Sequence, residues 1–441
     1  MVPAGRVYWG LLLGLVGSLG IAIGGDSFSS AALEVALGLL LLWDGGLLMA
    51  MVWDGRQARA NPVRVTRQLA ARLSIGRENG VTLRVETGDR SATVQIRDFY
   101  PLEFEAQPEM LFVTLPPHAQ QDLTYTVLPR QRGKYTWSKI QVRQRGAWGL
   151  AWSEQFITQA QTIAVYPDLL GLRSLSVRLT LQMAGNLRRI QRSGTGTEFA
   201  ELREYSTGDD PRLIDWKATA RRSRLLLRVL EPEQEQTLII LLDRGRLMTA
   251  QVRGLARFDW GLNAALALAL AGLHRGDRVG IGVFDRQMHL WIPPERGQRQ
   301  LPRLIEQVTP IQPVLQEPDY LGAVSTVTRQ QTRRALVVLL TDIIDKTASA
   351  ELLGAMGHLA PRYLPFCVTL RDPQVDRQAQ TFTPEVDSTY SRAVALDLLA
   401  QRQVAFSSLK QKGVLVLDAP AHQVTESLVD RYLQLKARSL L

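Results

Sequence analysis

The chain has 441 residues, enough for two or three domains, and its 46% hydrophobic content supplies ample core. Its 52 basic and 42 acidic residues give a formal net charge of +10, which suits an anionic surface. One cysteine, Cys367, excludes an intramolecular disulfide and every multi-cysteine metal site, and five scattered histidines with no His-x-x-x-His pair argue against a zinc enzyme.

Two apolar segments open the chain. Residues 7–25 carry no charge until the polar break Gly25-Asp26-Ser27. At about 1.5 Å per residue they are long enough to cross roughly 30 Å of hydrocarbon. Residues 31–53 form a second such run, with Glu34 near one end and Asp44 near the middle. Arg6 followed by an apolar run would also suit a secretory signal peptide. The immediate second span favours a retained hairpin instead. Arg56, Arg59, Arg64, Arg67 and Arg72 follow, with no acid between positions 55 and 77. By the positive-inside rule both ends of the hairpin lie in the cytoplasm, giving a two-pass protein of the cell (inner) membrane. These arginines account for much of the net charge in terms of the lipid bilayer, and nucleic acid is not required. Asp44 is expected to face the other helix or a partner, because an ionised carboxylate against lipid costs about 2.5–3.5 kcal/mol.

From Pro62 onward the period becomes two. Val81, Leu83 and Val85 alternate with polar neighbours, as do Val94 and Ile96, then Leu123, Tyr125 and Val127, then Ile140 and Val142. Breaks fall at Glu78-Asn79-Gly80, Gly88-Asp89, Pro116-Pro117 and Gln131-Arg132-Gly133. Short strands at such spacing, with no helical stretch between them, predict a β-sandwich. It lacks the interleaved aromatic platform of an oligonucleotide-binding fold, so a structural or interaction module is expected.

The most charged stretch is residues 194–233. Glu198, Arg203, Glu204, Asp209, Arg212, Asp215, Lys217 and Arg221 interleave there with Phe199, Leu202, Tyr205, Ile214 and Trp216. Mixed signs alternating with large apolar groups predict a folded surface laced with ion pairs, the plainer reading being a charged connector. Gly208-Asp209-Asp210-Pro211 is a turn signal, and Asp215 is placed to cap a helix starting at Trp216. Ion pairs or caps are expected from Arg203, Asp209, Asp215 and Arg221, with Trp216 as a buried anchor.

This stretch, EFAELREYSTGDDPRLIDWKATAR, resembles the signature of domain-of-unknown-function family 58, a widespread group of prokaryotic membrane proteins. The matching positions include Gly196, Glu198, Phe199, Arg203, Tyr205, Gly208, Asp209, Arg212, Asp215, Trp216, Lys217 and Arg221. Arg132-Gly133-Lys134-Tyr135 and Gly146-Ala147-Trp148-Gly149-Leu150 resemble family motifs more weakly. The resemblance implies a membrane hairpin (residues 1–56), a β-sandwich (57–168), the signature segment (169–235) and an α/β doubly wound, von Willebrand factor A-like domain (236–441). It also implies a partner, a MoxR-type AAA+ ATPase.

Beyond the signature, buried strands alternate with helices. Residues 237–243, 278–284, 335–342, 363–370 and 414–417 read as strands, and 259–274, 298–308, 320–331, 348–358, 390–409 and 424–438 as helices. Such alternation predicts a parallel sheet covered on both faces, with function gathered at the carboxyl ends of its strands. Asp243 and Asp342 stand at two of those ends. Their layout resembles the metal-ion-dependent adhesion site of von Willebrand factor A domains, where carboxylates and hydroxyls hold Mg²⁺. Gly245 and Leu247 replace both serines of that pattern, so the site is degenerate and no metal or other cofactor is expected. Arg244 or Arg246 is expected to pair with Asp342 or Asp243 in the cation's place. As an alternative, the two acids cap the turns that follow their strands.

No catalytic constellation emerges. The chain has no G-x-x-x-x-G-K-[ST] and no G-x-S-x-G, and Cys367 lies in an apolar run that suits a structural thiol. The expectation is a membrane-anchored, non-enzymatic adaptor that binds protein partners. The alternative is a membrane-associated hydrolase or transferase using the signature acids.

Overall fold

A computed structural model describes residues 1–24, 30–190, 198–206, 209–231, 236–344, 347, 349–360, 362–382 and 386–437. Signature positions Gly196 and Gly208 lie outside the described residues, as does the side chain of Glu198. The chain divides into two units, Met1–Tyr166 and Pro167–Leu441.

The first unit begins with helices α1 (Gly5–Gly24) and α2 (Ser30–Ala60), each long and apolar enough to cross a membrane. Side chains such as Leu13, Leu42 and Met49 point outward, as no core helix of a water-soluble fold could allow at this density. The helices approach closely because Gly10 leaves room for Leu47 and Gly14 for Trp43, whose Nε1 donates to the Gly10 carbonyl at 3.0 Å. Asp44 lies beside Gly14, so it faces α1.

Nine strands follow: β1 (Arg64–Gln68), β2 (Arg72–Ser74), β3 (Asn79–Glu86), β4 (Ala92–Asp98), β5 (Phe104–Gln107), β6 (Leu111–Leu115), β7 (Gln120–Pro129), β8 (Gly133–Arg145) and β9 (Ala151–Tyr166). One sheet runs β9-β8-β4-β6, with β2 and the short strand Val2–Pro3 also on β9, and the other runs β1-β3-β7-β5. The period-two residues turn inward: Val81, Leu83, Val85, Val94, Ile96, Val127 and Ile140 are buried. Arg67 departs from its expected membrane-facing role. Its side chain is buried, with Nε donating to Asp98 at 2.8 Å, and Tyr125 donates to the same carboxylate at 2.6 Å. A cation placed on the inward phase of β1 must find a carboxylate, and Asp98 supplies it. Arg56, Arg59, Arg64 and Arg72 stay exposed.

Helix α2 continues past its apolar span and is held by the turn between β8 and β9. The Asp54 carboxylate is fully buried and accepts backbone amides from Trp148 and Leu150, both at 2.9 Å, and from Ala151 at 3.3 Å. Gly146 is required there because a Cβ would collide with that carboxylate, and Gly149 has a φ of +69°. The Trp53 and Trp148 rings pack at 4.5 Å. The Gly146-Ala147-Trp148-Gly149-Leu150 motif is therefore a receptacle for the end of α2.

In the second unit, α3 (Leu169–Ile190) packs Leu172, Leu175 and Leu179 into the α/β core. These three leucines recur at helical spacing on one face of α3. Next come β10 (Glu198–Glu204), α4 (Trp216–Arg222) and β11 (Leu226–Glu231). The longer strands that follow are β12 (Thr237–Asp243), β13 (Arg278–Phe284), β14 (Met288–Glu295), β15 (Leu336–Thr341), β16 (Leu364–Arg371) and β17 (Leu415–Pro420). They form one sheet in the order β14-β13-β12-β15-β16-β17, parallel except for β14. Helices α5 (Arg257–His274), α6 (Gln300–Val308), α7 (Tyr320–Gln330), α8 (Ala350–Leu359), α9 (Pro373–Gln380), α10 (Val386–Gln411) and α11 (Val424–Ala437) complete the unit. Separate apolar clusters on its two sides, one around α5 and α11 and one around α7 and α8, leave β12 and β15 buried throughout. The strand order reverses between β12 and β15, so a crevice opens at their carboxyl ends.

Candidate functional site

Two places carry the charged residues singled out in the sequence. The first is the signature. Strands β10 and β11 pair antiparallel, and α4 sits on the connection between them. Asp209 accepts from Arg203 Nη2 and from the Ser206 amide, both at 2.8 Å. Asp215 caps α4 by accepting from the Ala218 amide at 3.0 Å, and it pairs with Arg228 at 2.8 Å. Both carboxyls are held below the usual range, chiefly by Arg203 for Asp209 and by Arg228 for Asp215. Thr219 accepts the Leu226 amide at 3.0 Å, and Arg224 pairs with Glu204 at 2.8 Å. The charges thus close the hairpin on itself.

Two expectations fail here. Trp216 is 67% exposed, and α4 buries no residue. A seven-residue helix on a two-stranded hairpin has no sheet behind it to receive an indole. Arg221 forms no ion pair among the described residues, and Arg212, Lys217 and Arg221 are exposed, while Tyr205 is half-buried. Leu225 is also exposed, whereas Leu226 and Leu227 are buried.

The second place is the crevice. Asp243 ends β12 with no exposure at all, accepting from Thr341 Oγ1 at 2.6 Å, Tyr320 OH at 3.1 Å and the Gly245 amide at 2.7 Å. Burial pushes its carboxyl up to about 6, against the pull of those hydrogen bonds. Asp342, just beyond β15, binds two guanidiniums: Arg257 Nη1 at 2.7 Å and Arg402 Nη1 at 2.7 Å. Arg402 also reaches Asp418 at 2.9 Å, and Arg371 joins Asp418 at 3.1 Å and Asp376 at 3.1 Å. Burial opposes the Arg402 charge, but Asp342 and Asp418 outweigh it and raise its pKa.

The expected pairs of Arg244 and Arg246 are not those formed. Arg244 binds Asp285 at 3.0 Å and Arg246 binds Glu317 at 2.7 Å. Their side chains point away from the crevice because they lie in the loop after β12, whereas Arg257 opens α5 and Arg402 stands inside α10. Among the described residues no three His, Cys, Asp or Glu side chains gather to hold a metal ion. Both oxygens of Asp342 are already occupied by guanidiniums, which does not suit a Mg²⁺ shell of hard oxygens. Burial pushes the Cys367 thiol up to about 12, so it is no nucleophile.

Residues 201–378 match the family model for Protein of unknown function DUF58. The DUF58 match takes in most of the signature hairpin and both crevice aspartates, and stops short of Arg402 and Asp418. An uncharacterized protein of Mycobacterium tuberculosis is 23% identical over 183 residues, 41% of this chain and 57% of that protein. Uncharacterized protein YeaD of Bacillus subtilis is 27% identical over 129 residues, 28% of this chain and 31% of that protein. The matched stretch thus spans little more than half the length of the mycobacterial relative and under a third of YeaD. Among solved structures, the conserved hypothetical protein BatB from Bacteroides thetaiotaomicron gives a TM-score of 0.33 at 14% identity, covering 46% of this chain and 99% of its own. An aerotolerance-related membrane protein from Bacteroides fragilis gives 0.29 at 14% identity, covering 44% and 99%.

Proposed function

We propose that the protein is a membrane-anchored, non-enzymatic adaptor that recruits a protein partner through the signature hairpin. One observation carries this reading: the signature's carboxylates close the hairpin on itself, while Trp216 and the basic residues Lys217 and Arg221 remain exposed. An indole held outward beside arginines is the composition of an interface hot spot. Carboxylates tied up in caps and ion pairs are poor acid/base groups, which weighs against a hydrolase or transferase. The strand order around β12 and β15 supports a von Willebrand factor A-like domain whose cation is replaced by Arg257 and Arg402, so partner binding needs no Mg²⁺. Helices α1 and α2 anchor the chain in the inner membrane, with the exposed Arg56, Arg59 and Arg64 favouring a cytoplasmic bulk. The resemblance of the signature to family 58 makes a MoxR-type AAA+ ATPase the partner of choice. Co-purification from detergent-solubilised membranes tests this. The wild type should retain a hexameric ATPase, and Trp216→Ala should lose at least about ten-fold of it, as a hot-spot residue does. Equal recovery from both would remove the hairpin as the docking element.

A further inference from the structure

The first unit holds a polar cavity of about 600 Å³ beside the ends of both helices. Its walls include Arg6 at the start of α1, Gln57 near the end of α2, Arg90, Ser91 and Thr93 at the entry to β4, and Arg145 at the end of β8. Arg6 donates to the Trp148 carbonyl and Arg90 to Gln57 Oε1, both at 3.1 Å, and both acceptors are neutral. Among the described residues no carboxylate pairs with Arg6, Arg90 or Arg145. Other sandwich arginines have one: Arg67 with Asp98, Arg84 with Asp122 and Arg143 with Glu154. The cavity's acid, Asp89, is exposed and lies 3.7 Å from His118. Three guanidiniums around one space repel each other, and an anion between them relieves that.

The depth of the cavity matters too. Tyr8, Trp9, Trp53 and Trp148 are all more than 45% exposed and lie within a few residues of Arg6, Gln57 and Arg145 in sequence. Exposed Trp and Tyr at the ends of apolar helices belong at the headgroup level of a bilayer. If α1 and α2 span the membrane, as proposed above, the cavity opens where phosphates lie.

We propose that this cavity binds a phosphate-bearing anion, carried by an acidic phospholipid or present as free inorganic phosphate. The guanidiniums of Arg6, Arg90 and Arg145 grip the phosphate oxygens, and the Ser91 and Thr93 hydroxyls are placed to add hydrogen bonds.

The test uses the full chain in nanodiscs of equal phosphatidylglycerol and phosphatidylcholine, with bound lipid counted after detergent extraction. Phosphatidylglycerol should be retained over phosphatidylcholine, and Arg90→Gln and Arg145→Gln should each weaken that preference about five-fold. Ser91→Glu, which removes no cation and places an anion in the cavity, should abolish it without lowering the melting temperature. If lipid preference is absent but inorganic phosphate raises the melting temperature of the wild type and not of Ser91→Glu, free phosphate is the occupant. If neither ligand distinguishes wild type from Ser91→Glu, the site is overturned. Alkaline carbonate washing of native membranes reports separately on the anchor. A chain released by carbonate refutes the membrane reading and the lipid source with it, and the phosphate arm still judges the cavity.

Discussion

Arg402 sits between two carboxylates, the buried Asp342 and the half-buried Asp418, 76 positions apart in sequence. Removing one member of such a network leaves charge without a partner in a poor solvent, a loss larger than the network's own net contribution. Arg402→Ala should destabilise the sheet around β15 and β16 by about 3 kcal/mol. Amide hydrogen exchange in those two strands is the proper measure, since it reads the loss where it occurs. Unchanged protection there would mean that Arg257 and Arg371 suffice. An arginine partner for Asp342 was legible in the sequence, but the identity of the arginines was not. Arg244 and Arg246 are neighbours of Asp243 in sequence, whereas Arg402 is 159 positions beyond it. Its one signal is that it falls on the stripe of α10 that buries Ala395, Ala405, Phe406 and Leu409. A cation at an apolar phase of a helix requires a buried acid, but sequence spacing cannot say which.

At the scale of elements, the signature shows why a long charged run need not be a solvated connector. Asp209, Asp215 and Thr219 each satisfy a backbone amide at a turn or cap, so the pattern encodes a small fold with almost no core. Capping and turn chemistry are local, and the cap at Asp215 and the turn at Asp209 could be read directly from residue types. The fate of Trp216 could not, because burial depends on what stands behind the helix. Asp215→Ala should fray α4 at a cost of about 1 kcal/mol, read as faster exchange of the Ala218 and Thr219 amides. Trp216→Ala should leave those amides protected, in contrast to the core truncation its size suggests. Equal fraying by both substitutions would return the indole to a structural role.

For the whole molecule, the alternating strands and the βα rhythm in the sequence follow from periods of 2 and of buried runs, and the sandwich sheets and the mostly parallel sheet are where those periods place them. Orientation across a bilayer is a matter of charge. A reporter fused after Leu441 should read as cytoplasmic and one inserted at Ser27 as external, and replacing Arg56, Arg59 and Arg64 with glutamine should weaken that preference. Arg67 is left out of this set because it serves Asp98 inside the sandwich. An exported C-terminal fusion would reverse the assignment. Helix α2 adds a mechanical consequence. Its 31 residues extend to about 46 Å, some 15 Å more than the hydrocarbon thickness. The overhang carries a carboxylate clasped by three amides, with Trp53 wedged on Trp148, and no flexible linker intervenes. The sandwich is therefore bolted to its anchor like a handle to a shaft, and a torque applied to the one turns the other within the lipid.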